Sequence, residues 1–178
     1  MSDIRQIQNL ALIGFMGTGK SSSGQIVAGQ LNFRFVDTDA LIEERAGKPI
    51  TSIFADDGEE AFREWEGRVV AELATVSETV ISTGGGLAAN DEHLESLKLH
   101  ALVICLWAGP EAIWQRVRHQ AHRPLLHGEN PQEDIAKLLS EREPYYRKAD
   151  VLINTEMRSL KDVAQQLNYH FQQVRGGE

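Results

Sequence analysis

An α/β fold built on a mostly parallel sheet is predicted by three observations. Short apolar runs alternate with stretches of helical periodicity along the chain, which is how βαβ units read. The first run leads into Gly14-Phe15-Met16-Gly17-Thr18-Gly19-Lys20-Ser21, which fits the phosphate-loop pattern of Gly, any four residues, then Gly-Lys-Ser/Thr. Glycine-rich and carboxylate-bearing segments follow the apolar runs. These are the carboxyl ends of the strands, where such sheets bind ligands.

The apolar stretch over 10–13 is read as a buried strand. Glycines after it let successive backbone N–H groups curl around a phosphate. The next helix, over 20–31, aims its positive dipole end at the same anion, with Ile26, Val27 and Leu31 on one side. Lys20 adds a point charge for the outer phosphates, and the Ser21 hydroxyl can ligate Mg²⁺. Gly17, Thr18, Gly19, Lys20, Ser21 and Ser22 are therefore the candidate ATP-binding loop.

Further strands are expected over 33–36, 79–82, 102–107 and 151–154. Helices fit between them over 39–46, 59–75, 91–97, 110–120, 131–142 and 159–174. The second strand ends in Asp37-Thr38-Asp39. These two carboxylates are expected to point to opposite sides, one toward Mg²⁺ and one toward a second substrate. The competing reading is that one of the three residues caps the next helix. The third strand ends in Thr83-Gly84-Gly85-Gly86, where the lack of side chains lets a ligand touch backbone; a plain turn is the alternative.

In the helix after Gly58, Phe62, Trp65, Val69 and Leu73 form the expected buried stripe, with Arg63 at its edge. Glu59 and Glu66 stand four before and three after Arg63, so a surface ion pair competes with any functional role. Arg142 closes its helix and could merely complement the dipole there. The last helix opens on Ser159 with Asp162 three residues on, like a capping box, and carries a core stripe of Leu160, Val163, Ala164, Leu167 and Phe171.

Residues 119–130 form a long polar connection punctuated by Pro124 and Gly128. Long loops in compact domains are often functional, and in phosphoryl transfer the functional version is a lid that excludes water. His119, His122 and His127 crowd it, but no cysteine or paired carboxylate spacing supports a metal site there.

The length of 178 residues suits one domain with a sizeable core. A formal net charge of −8 argues against nucleic acid and anionic membranes as partners. Met1 to Asn9 is polar, and no run approaches the roughly 20 apolar residues of a span, so a cytoplasmic protein is expected. The lone Cys105, inside an apolar run, is expected to be a buried core residue.

Taken together, these stretches resemble the shikimate kinases: the Gly-Thr-Gly-Lys-Ser loop, Asp37-Thr38-Asp39, Phe62-Arg63 with Glu66, Thr83-Gly84-Gly85-Gly86, Arg123-Pro124-Leu125-Leu126, and Arg142 before Pro144-Tyr145-Tyr146-Arg147. The resemblance implies a P-loop kinase of the nucleoside-monophosphate-kinase type, with a five-stranded parallel sheet in the order 2-3-1-4-5, flanking helices and a mobile lid over about 119–131. It implies transfer of the ATP γ-phosphate to the 3-hydroxyl of shikimate, with Mg²⁺ as cofactor and a monomeric chain. Asp39 would hold the acceptor hydroxyls and serve as base. Ser21 would ligate Mg²⁺ directly and Asp37 through water. Arg63 and Arg142 would grip the shikimate carboxylate, with Gly84, Gly85 and Gly86 beside the ring and the binding segment spanning about 39–67. Arg123 would be the lid arginine on the phosphates, Arg116 the adenine-stacking residue, and Arg158 a residue of the adenine rim.

Two other readings compete. A kinase of another small acceptor, such as gluconate or a nucleoside monophosphate, would share the loop but not the Arg63 and Arg142 contexts. A non-catalytic nucleotide-binding module would be expected to lack a carboxylate, the lysine or the lid arginine; Lys20, Asp37, Asp39 and Arg123 are all present.

Overall fold

β1 (Asn9–Ile13) is the central strand, and every one of its residues is buried. It pairs in parallel with β3 (Thr79–Ser82) on one side and β4 (Ala101–Trp107) on the other. β2 (Arg34–Asp37) and β5 (Val151–Asn154) add the two edges, giving the order β2-β3-β1-β4-β5. The computed structural model describes residues 5–120 and 129–176.

Both faces of the sheet are covered at its centre, which explains the long apolar runs of β1 and β4. Alternate residues part to opposite sides. Ala11 and Ile13 of β1 join Val103 and Cys105 of β4 in one core. Leu10 and Leu12 join Ile104 and Leu106 in the other. The first core is closed by α2 (Thr38–Ala46), α4 (Gly58–Leu73), α5 (Asp91–His100), α6 (Pro110–Val117) and α7 (Pro131–Tyr146). The second is closed by α1 (Lys20–Leu31) and α8 (Leu160–Arg175). Cys105 is wholly buried, and burial pushes its thiol up to about 12, so it stays protonated packing.

Several details depart from the periodicity. On α1 the buried face is Ser23, Gly24, Val27 and Ala28, while Ile26 is exposed. On α4 the buried row is Phe62, Glu66, Val69, Val70 and Leu73; Trp65 is only partly buried, beneath the Arg68 guanidinium. A carboxylate thus occupies a core position. Between α2 and α4 lie a short α3 (Ile50–Ser52) and a π-helical turn, Ile53–Asp57, which no sequence periodicity announced. α6 stops at Val117, and α7 runs past Pro144 to Tyr146. The capping box of α8 is present: Ser159 Oγ accepts from Asp162 N–H, and Asp162 accepts from Ser159 N–H, each at 3.1 Å. No described helix is long and apolar enough to cross a membrane.

Candidate active site

The loop after β1 is shaped by glycines in conformations that other residues resist. Gly14 has φ of 138°, and a Cβ there would lie 2.3 Å from the Leu106 carbonyl oxygen. Gly17 (φ 75°) would drive a Cβ to 2.7 Å from Val117 Cγ1. Thr18 Oγ1 ties the loop together by donating to Phe15 O at 2.8 Å. Lys20 begins α1 and is buried; its Nζ donates to Gly14 O at 2.7 Å and Phe15 O at 2.9 Å. An ammonium folded back over the loop, beside a helix N-terminus, suits an anion.

Next to it stands a cluster of oxygen atoms. Ser21 Oγ donates to Asp37 Oδ2 at 2.8 Å and lies 3.0 Å from Ser82 Oγ. Asp37 and Ser82 are register partners of β2 and β3, so the sheet itself sets this distance. Oxygen ligands alone are what Mg²⁺ prefers, with most of its shell left to water and phosphate. The donor set therefore fits Mg²⁺ held by Ser21 with Asp37 behind it.

The two oxygens of Asp37 have different partners. Its Oδ1 caps α2 by accepting from Asp39 N–H (3.0 Å) and Ala40 N–H (3.3 Å) while Oδ2 faces Ser21. The two carboxylates do have different neighbours, but not because the chain is extended; residues two apart on a strand share a face. The helix starts at Thr38, and that turn carries Asp39 away toward Gly84. A Cβ on Gly84 would lie 2.5 Å from Asp39 Oδ1, so glycine is needed for this close approach. Burial pushes the Asp39 carboxyl up to about 6, reinforced by repulsion from Asp37 and Glu66 and opposed by Lys20.

Arg63 and Arg142, far apart in the chain, meet over the glycine triplet. A Cβ at Gly86 would lie 3.0 Å from Arg63 Nη1 and 3.7 Å from Arg142 Nη2; one at Gly85 would lie 3.2 Å from Arg142 Nη1. Arg63 does make the ion pairs its spacing suggests, to Glu59 (3.0 Å) and Glu66 (2.8 Å). The second is no surface pair, because the Glu66 side chain is only 2% exposed. Two planar guanidinium forks thus stand beside bare backbone, an arrangement suited to a carboxylate.

Arg116 joins the phosphate loop from α6. It donates to Gly17 O (3.1 Å), Thr155 Oγ1 (3.0 Å) and Thr155 O (2.8 Å). The loop, Asp37, Asp39, Gly84, Gly85 and Arg116 line one cleft of about 390 Å³. Arg63, Gly86 and Arg142 flank this cleft rather than line it, and Arg158 is exposed and does not line it either. Arg123 lies outside the described residues, as do His122 and His127. Sequence spacing missed Ser82 and Thr155, whose contacts with Ser21 and Arg116 arise only because the sheet brings their strand ends together. The core position of Glu66 was open to inference, since it falls four residues after Phe62 and three before Val69.

The chain has counterparts among known proteins. A family model described as shikimate kinase matches residues 16–171. A shikimate kinase from Thermodesulfovibrio yellowstonii is 40% identical over 172 residues, covering 97% of this chain and 99% of that protein. The structure of a shikimate kinase from Acinetobacter baumannii in complex with shikimate superposes with a TM-score of 0.87 at 34% identity, covering 98% of this chain and 96% of that one. A shikimate kinase from Aquifex aeolicus gives a TM-score of 0.83 at 33% identity, covering 95% and 98%. With the sheet order, the phosphate loop and the paired arginines in place, this chain belongs to the shikimate kinase family.

Proposed function

We propose that the chain transfers the γ-phosphate of ATP to the 3-hydroxyl of shikimate, giving shikimate 3-phosphate and ADP, a step of aromatic amino acid biosynthesis. The observation that carries this reading is the convergence of Arg63 and Arg142 on Gly86, beside Asp39. A carboxylate at that point faces two planar donor forks. A hydroxyl on the same ring then lies toward Asp39, whose raised proton affinity suits it to accept a hydroxyl proton.

The phosphate loop binds the nucleotide through backbone N–H groups, with Ser22 beside Ser21 on the first turn of α1. Lys20 moves from its carbonyl partners to the outer phosphates. Ser21 and Asp37 would hold the Mg²⁺ that accompanies ATP. When bound, Mg²⁺ neutralises charge on the transferring phosphoryl group. Arg116 packs against adenine, and Arg123, from a lid over about 119–131, reaches the phosphates. The segment over about 39–67 carries the acceptor site within one kinase domain.

The test is ADP release with Mg-ATP and a panel of shikimate, gluconate and nucleoside monophosphates. Release with shikimate alone is expected. Equal release with gluconate would reassign the acceptor, and none with any of them would leave only nucleotide binding.

A further inference from the structure

Tyr146 is used by none of the steps above, yet it sits where the two halves of the acceptor site join. It is 1% exposed and lies one turn after Arg142 on α7. Its Oη donates to Gly85 O at 2.7 Å. Burial pushes the phenol up to about 12, against the charge and hydrogen bonding of Arg142, so it is a proton donor at any ordinary pH. One face of α7 therefore presents both a guanidinium beside Gly85 and a hydroxyl that grips the Gly85 carbonyl.

We infer that Tyr146 is a positioning residue for the acceptor site, locking the Gly85–Gly86 peptide and Arg142 into one register so that a substrate carboxylate meets both. The peptide plane gives the reason. The described peptide bonds are trans, so a C=O held toward Tyr146 turns the Gly86 N–H to the opposite side. Gly85 and Gly86 have no side chains to hold that plane, and glycine backbone has the most freedom to rotate. The buried hydroxyl supplies the restraint from a helix rather than from the loop. Phe15 keeps Arg142 over the same spot, with its ring centroid 5.4 Å from the guanidinium carbon.

This inference rests on Arg63 and Arg142 being the carboxylate clamp. Tyr146→Phe keeps the ring and deletes only the donor. Calorimetry should show about tenfold weaker shikimate binding, the scale of a buried carbonyl losing its partner, with ADP affinity unchanged. In an Arg142→Lys background the same substitution should add less than about twofold, because the two act as a unit. Replacing Tyr146 by 4-aminophenylalanine, which restores a donor, should recover the lost affinity even if the phenylalanine variant folds poorly. Unchanged shikimate affinity in Tyr146→Phe would overturn the inference. So would equal losses for shikimate and ADP, independent penalties with Arg142→Lys, or no recovery with the amino analogue. If wild type binds shikimate no better than its neutral carboxamide, the clamp itself fails, and the inference falls with it.

Discussion

Arg63 Nη1 lies 2.8 Å from Glu66 Oε2, and the two ends of this pair sit in different surroundings: the arginine side chain is 40% exposed, the glutamate 2%. The buried carboxylate holds the guanidinium beside Gly86, and Nη1 itself is the atom nearest that glycine. Lysine cannot supply the planar fork. Arg63→Lys should weaken shikimate binding tenfold or more (~1.4 kcal/mol) with little change for ATP. Arg63→Ala should also lower stability by about 1–3 kcal/mol, because it strands a buried acceptor. Calorimetry and urea unfolding check both. Unaltered shikimate affinity in Arg63→Lys would make the residue a structural ion pair only.

Asp39 should set the acid limb of the pH profile, with kcat/KM for shikimate falling below about pH 6. Asp39→Asn should lower turnover by ~100-fold or more. Turnover within a few-fold of wild type would remove it as the base.

The same group should cost stability. Its carboxyl titrates at 3.8 when unconstrained and near 6 in the fold. Between those values the folded chain binds more protons, so stability falls as pH rises, and the cost is complete above about 6. Asp39→Asn should therefore melt higher than wild type at neutral pH. That gain should vanish toward pH 4, where both proteins are uncharged at this site; a constant gain at all pH values would assign it to something other than the carboxyl's charge.

His100 should act in the reverse sense. Both N–H groups of the buried Asn9 amide are committed, to Val76 O (2.8 Å) and to His100 Nδ1 (2.9 Å), so the imidazole must accept. Burial holds its pKa below the ordinary 6.5. The unfolded chain takes up the proton first, so this stability is complete above 6.5 and is lost as pH falls through the lower folded value. In His100→Gln the urea midpoint should drop less between pH 7.5 and 5 than in wild type. Parallel drops would clear His100.

Arg123→Ala should cut kcat far more than it weakens ATP or shikimate at equilibrium. Charge spreads over the phosphoryl oxygens only in the transition state, and an interaction made only there gives that kinetic pattern. Single-turnover rates beside equilibrium affinities separate the cases. An unaltered kcat excludes the role.

The sequence by itself determined the strands and the phosphate loop, since both are local. Strands β3 and β5 fall where their apolar runs predict, β1 and β4 begin one residue earlier, and β2 is displaced by one residue at both ends. A run buried on both faces must be apolar throughout, and a phosphate loop needs its glycines in one short segment. Even the Glu59 and Glu66 partners of Arg63 could be read from helical spacing. Spacing also put Glu66 in the row of Phe62 and Val69, so its burial too could have been inferred. It extended α6 past Val117, and it ended α7 before Pro144, which the helix runs through. Only the tertiary structure brought Arg63, Arg142 and Tyr146 to one pair of glycines. They come from two helices and the end of a strand, and parallel strands joined by crossovers set their meeting point. The carboxylates of Asp37 and Asp39 were likewise visible in sequence. Their different neighbours came from a helix starting one residue earlier than its pattern suggested, which turned Asp37 into a cap and carried Asp39 to Gly84.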